Sequence, residues 1–169
     1  MGASGVYEVG YDVQTKGAHT VHIELYGEPI THSPFRFTVL PGPTIGNKSR
    51  LTCETNPAII NLPCQLLLEA IDRYGNRVDE GGSSINARAL GTGVGGCTVD
   101  DQEDGSYYIT FTSSVVGEAR VIIRLDNMEM APLTVHFQEA GAEADEEAPG
   151  AAEEGEREGT PSERRAGVA

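Results

Sequence analysis

The sequence has no tryptophan, 6% aromatic residues and three cysteines in 169 residues. Cys53, Cys64 and Cys97 are odd in number, and no two have the C-x-x-C spacing. That pattern speaks against a disulfide framework or a zinc site and suits reduced thiols in a cytosolic protein. Basic residues are scarce as well: 12 Lys and Arg stand against 26 Asp and Glu, a formal net charge of −14. Nucleic-acid binding and docking on anionic lipid both need a basic patch, so neither is expected. No apolar run approaches the ~20 residues that span a bilayer as a helix. The first residues lack a basic stretch followed by an apolar core, so no signal peptide is expected.

Constellations for chemistry are also missing. His19, His22, His32 and His136 are scattered, and the first two, three apart on an expected strand, point to opposite faces. Asp100, Asp101, Glu103 and Asp104 form an acidic cluster without EF-hand spacing; a solvated turn is the expectation, and oxygen ligation of Ca²⁺ the rival. No serine sits in a nucleophile elbow. The glycines Gly91, Gly93, Gly95 and Gly96 precede a strand, whereas a phosphate cradle needs a helix N-terminus. No catalytic residue, metal or cofactor is expected, and the chain reads as a non-enzyme.

What the sequence has is turns and alternation. There are 21 Gly and 9 Pro. Between them lie runs with a period of two, the mark of half-buried strands: Tyr7–Tyr11, Val21–Leu25, Phe35–Val39, Leu66–Ala70, Ile85–Ala89, Tyr107–Phe111, Val121–Leu125 and Leu133–Phe137. Short strands separated by such turns predict an all-β sandwich.

An internal repeat organises these runs. Gly5, Tyr7, Val9, Tyr11, Gly17, Val21, Ile23 and Leu25 recur 100 positions later as Gly105, Tyr107, Ile109, Phe111, Gly117, Val121, Ile123 and Leu125. Ile30 then matches Met130, and after a two-residue deletion Ser33, Pro34, Phe35, Phe37 and Val39 match Ala131, Pro132, Leu133, Val135 and Phe137. The expected organisation is the last three strands of one repeat over 1–40, a complete repeat over 44–137, and a tail over 138–169. The tail has no aromatic, Leu or Ile and a net charge of −7. It cannot bury enough apolar surface to offset its chain entropy, so it is expected to be disordered. Residues 1–40 alone would have no second sheet over their apolar face, and are not expected to form a stable domain.

The segment Gly27-Glu28-Pro29-Ile30-Thr31-His32-Ser33-Pro34-Phe35, with the Gly-x-Tyr-x-Val-x-Tyr run ahead of it, resembles the end of a filamin-type repeat. The turn carrying Asp72, Tyr74, Gly75 and Asn76 resembles the one after the second strand of such repeats. In the complete repeat the end signature is degraded, with Asn127 for Gly27 and Ala131-Pro132-Leu133 for Ser-Pro-Phe. The residues Gly27, Ile30, Ser33, Pro34, Phe35, Asp72, Tyr74, Gly75, Asn76 and Pro132 have structural roles on this reading: Gly75 and Asn76 suit a turn needing positive φ, and each proline favours extended geometry before the last strand.

The resemblance implies an immunoglobulin-like sandwich that serves as a spacer and binds a protein partner by accepting a peptide strand beside its third strand. By strand order that edge comprises about Ser84–Leu90 and Cys97–Asp101, with Ser84, Asn86, Arg88 and Val99 near the peptide. A cytoplasmic, cytoskeleton-associated scaffold is the implied setting. Actin binding is not supported, because no calponin-homology region is present. The alternatives are an extracellular adhesion module and a non-catalytic, filamin-repeat part of a larger enzyme such as a ubiquitin ligase.

Overall fold

A computed structural model describes residues 5–141, which hold thirteen strands and no helix. The first 36 of them contribute β1 (Gly17–Val21), β2 (Glu24–Leu25), β3 (Glu28–Pro29) and β4 (Phe35–Val39). Then follow β5 (Arg50–Cys53), β6 (Ala58–Ile59), β7 (Cys64–Glu69), β8 (Ile85–Leu90), β9 (Thr98–Asp101), β10 (Ser106–Phe111), β11 (Gly117–Leu125), β12 (Met128–Glu129) and β13 (Leu133–Gln138). The expected disorder of the tail concerns residues that, from 142 onward, lie outside those described. β13 itself runs one residue beyond the expected end of the repeat.

Residues 44–138 form two facing sheets. One has the order β5-β7-β10-β9; in the other β11 lies between β8 and β13, with β12 at the far end of β11 and β6 beyond β13. All neighbours are antiparallel except β13 and β6. The alternation read from the sequence selects the inner faces. Cys64, Leu66 and Leu68 of β7 and Tyr107, Ile109 and Phe111 of β10 meet Val121, Ile123 and Leu125 of β11 and Val135 and Phe137 of β13. Each is at most 3% exposed, which makes this layer the principal stabilising feature of the fold. Phe111 and Phe137 touch edge to face across it, with ring centroids 5.8 Å apart.

The repeat is visible in the register. Gly17↔Val39, His19↔Phe37 and Val21↔Phe35 pair in β1 and β4; their counterparts Gly117↔Phe137, Ala119↔Val135 and Val121↔Leu133 pair in β11 and β13. The short β2–β3 hairpin likewise matches the pairing of the end of β11 with β12. The Ile30 N–H donates to the Ile23 carbonyl at 3.1 Å, and the Met130 N–H to the Ile123 carbonyl at 2.9 Å. In the first unit the Ser33 hydroxyl also accepts from the Ile23 N–H at 3.1 Å, a contact that Ala131 cannot make.

The first unit departs from the expectation in two runs, and Val21–Leu25 is one of them, split between β1 and β2 with His22 and Ile23 in neither. Tyr7–Tyr11 forms no strand, although its counterpart Tyr107–Phe111 is the centre of a sheet. β10 is held by β7 on one side and β9 on the other, whereas among the described residues no strand pairs with Tyr7–Tyr11. Period-two alternation supplies a face; a strand also requires neighbours for its backbone. Tyr7 and Tyr11 stay 72% and 59% exposed, and Tyr11 packs on Phe37 at 5.5 Å between centroids.

The unit is tied to the sandwich by the 72–79 turn. The Asn76 side chain accepts from the Lys16 N–H and donates to the Gln14 carbonyl, and the Lys16 ammonium reaches Asp79 and the Arg77 carbonyl. Asp72, 1% exposed, accepts from Gly42, Tyr74 and Asn76 backbone N–H groups and from the Asn76 amide. Gly75 has φ +92°, the left-handed conformation expected of it; Asn76 serves through its side chain instead.

Candidate functional site

β8 and β9 follow one another in the chain but belong to different sheets, and each is an outermost strand. They flank the same open side of the sandwich. A strand edge of this kind leaves a row of N–H and C=O groups without partners.

Which groups face outward follows from one pair. The Asp126 N–H donates to the Ser84 carbonyl at 2.9 Å, and the Ser84 N–H donates to Asp126 Oδ1 at 2.8 Å. Hydrogen-bonded and non-hydrogen-bonded pairs alternate along an antiparallel ladder. Hence Asn86, Arg88 and Leu90 exchange bonds with their β11 partners Arg124, Ile122 and Arg120. Ile85, Ala87 and Ala89 turn their N–H and C=O groups to the open side. The Ala89 N–H meets the Cys97 sulfur there. Burial raises the Cys97 thiol above its ordinary pKa, and this N–H offsets part of the rise. Among the described residues, no strand pairs with the outward groups of Ile85 and Ala87.

Side chains alternate in the same way. Ile85, Ala87 and Ala89 are half-buried against the core, as is Cys97. Val99 lies opposite Ile109, a core residue, and so points to the inner face of its sheet. Val99 is nevertheless 40% exposed. The open side therefore presents half-buried apolar side chains next to a free backbone edge.

The structure divides the four residues expected near a peptide into two groups. Ser84, Asn86 and Arg88 line the outer face of the second sheet, where with Leu90, Ile122 and Arg124 they border an open groove of about 400 Å³. Val99 stands on the inner face of the first sheet. The two groups are compatible with one added strand. Such a strand would place alternate side chains toward Val99 and toward Asn86 and Arg88. Strand order alone missed Ile85, Ala87, Ala89 and Cys97. The signal was present in the alternation of Ile85-Asn86-Ala87-Arg88-Ala89, whose apolar members mark the inner phase.

The fold is an immunoglobulin-like sandwich. InvD of Yersinia pseudotuberculosis aligns at a TM-score of 0.51 with 18% identity, over 79% of this chain and 41% of that one. The Lin-41 filamin domain aligns at 0.50 with 16% identity, over 59% of this chain and 100% of the domain. The Escherichia coli adhesin FdeC aligns at 0.46 with 26% identity, over 72% of this chain. The chain matches 41% of the length of FdeC and of InvD. No family model and no curated protein matches the sequence.

The other clusters are used within the fold. Asp101 accepts from the Gly82 and Glu103 N–H groups. The Ser106 hydroxyl and N–H and the Arg77 guanidinium bind Asp104 and hold its carboxyl below the usual range. Among the described residues no group of His, Cys, Asp or Glu has the arrangement of a metal site. The glycine-rich segment is a loop before β9, bridged at Val94 to Ser113. Gly93 has φ +71° there, with Ser114 and Val115 side chains where a Cβ would stand.

Proposed function

We propose that the chain is a non-enzymatic, filamin-type structural module that binds a protein partner by strand addition to β8. The observation that carries this reading is the outward-facing backbone of Ile85 and Ala87 beside half-buried apolar side chains. Backbone bonds would supply affinity, and alternate side-chain positions would supply specificity. The acidic chain favours a partner segment that is apolar at alternate positions with basic flanks. The proposed setting is a cytoplasmic scaffold; the extracellular adhesion reading uses the same sandwich and differs in the partner and compartment.

The test is selection of extended peptides from a random library on the full chain, followed by Ala87→Pro. Proline removes the outward N–H of Ala87 and breaks no bond to β11, which edge strands tolerate. Selected peptides are expected to lose at least tenfold in affinity, while the melting temperature changes by a few degrees. Binders indifferent to Ala87→Pro in a folded variant would overturn the proposal.

A further inference from the structure

Cys53 closes β5 and Cys64 opens β7. Cys53 lies opposite Leu66, so the neighbouring inward position on β7 is Cys64, and both thiols share the inner face. Their sulfurs are 3.9 Å apart. The segment between them leaves the first sheet, joins the second through β6, and returns. It is held there by the Ile60 N–H on the Gln138 carbonyl at 3.0 Å and the Asn61 N–H on the Ser113 carbonyl at 2.8 Å. The two thiols thus stand at the neck of a loop that bridges both sheets.

We infer that Cys53 and Cys64 form a redox-active dithiol, a modification site that closes to a disulfide on reaction with small-molecule disulfides such as glutathione disulfide. Cys53 is half-buried on an outermost strand, whereas Cys64 is fully buried. Burial pushes the Cys64 thiol up to about 11, with the neighbouring Cys53 adding to the rise. Cys53 is therefore the sulfur that meets the reagent. Its thiolate attacks one sulfur of glutathione disulfide, forming a mixed disulfide and expelling one glutathione thiolate, which takes up a proton. Cys64, its developing thiolate supported by the Thr55 hydroxyl at 3.5 Å, then attacks the Cys53 sulfur and expels the second glutathione. Two protein thiols are oxidised, and one glutathione disulfide is reduced to two thiols.

Closure brings the sulfurs from 3.9 Å to about 2.0 Å. β5 has a neighbour on one side only and is free to make that shift. Cys97 lies between β8 and β9, against the Ala89 backbone, and stays a thiol.

The test is titration of thiols in denaturant after the full chain has been incubated with glutathione disulfide, with peptide mapping. The thiol count is expected to fall from three to one, with Cys53 joined to Cys64 and the intact mass lower by two hydrogen atoms. Cys97→Ser is expected to go from two thiols to none by the same bond. Three surviving thiols, a persistent glutathione adduct on Cys53, or pairing that includes Cys97 would overturn the inference.

Discussion

The Asp72 carboxylate is 1% exposed and accepts four hydrogen bonds: from the N–H groups of Gly42, Tyr74 and Asn76 and from the Asn76 side chain. Burial alone would raise its pKa, but these four donors outweigh burial and hold it at about 2, against 3.8 for a free side chain. A carboxyl depressed in the folded state stabilises the fold above the unfolded pKa and loses that contribution as pH falls through the folded one. The Asp72 contribution is thus complete above about pH 4 and disappears toward pH 2. Asp72→Asn sets an amide donor among four donors, and is expected to cost about 2 kcal/mol or more at neutral pH. Chemical denaturation from pH 7 to pH 2 checks this: the two proteins should converge in stability at the acid end. The importance of the residue was legible in its turn motif. Its reach to Gly42, thirty residues upstream, was not, because a turn signature describes only its own loop.

At the scale of the strand, identical sequence patterns have unequal structural outcomes. Leu125 and Leu25 occupy matching positions, yet Leu125 is fully buried while Leu25 is 45% exposed. Leu125→Ala is expected to cost about 2–5 kcal/mol through lost contacts and a cavity. Leu25→Ala, already largely in solvent, should cost less than about 1 kcal/mol. Equal losses in parallel urea melts would mean that the first unit is buried in a way the structure does not show. The correspondence between the ends of the two units was legible, since glycine, proline and alternating apolar positions repeat together, and the structure adds that the matching strands pair in the same register. Tyr7–Tyr11 carried the same pattern as β10 and misled, since a pattern cannot state whether neighbouring strands exist. The site was half legible for a related reason: strand order located β8 and β9, but did not say that Asn86 and Arg88 stand on the outer face of their sheet while Val99 stands on the inner face of its own. The closeness of Cys53 and Cys64 was hidden by the intervening crossing between sheets.

At the scale of the described residues, the structure is one sandwich whose edge strand β8 has a neighbour on one side only, with the shorter β1–β4 unit tethered through the 72–79 turn. All proposed binding depends on that strand being open in the free protein. Residue-resolved hydrogen exchange of the free, full-length chain measures this directly, because each amide of β8 reports whether its N–H is bonded. The account predicts alternation: Asn86 and Arg88, bonded to β11, exchange slowly, while Ile85 and Ala87, facing the open side, exchange much faster, as do the amides of Tyr7–Tyr11. Uniform slow exchange from Ile85 to Arg88 would show that the edge is already occupied and would contradict the account.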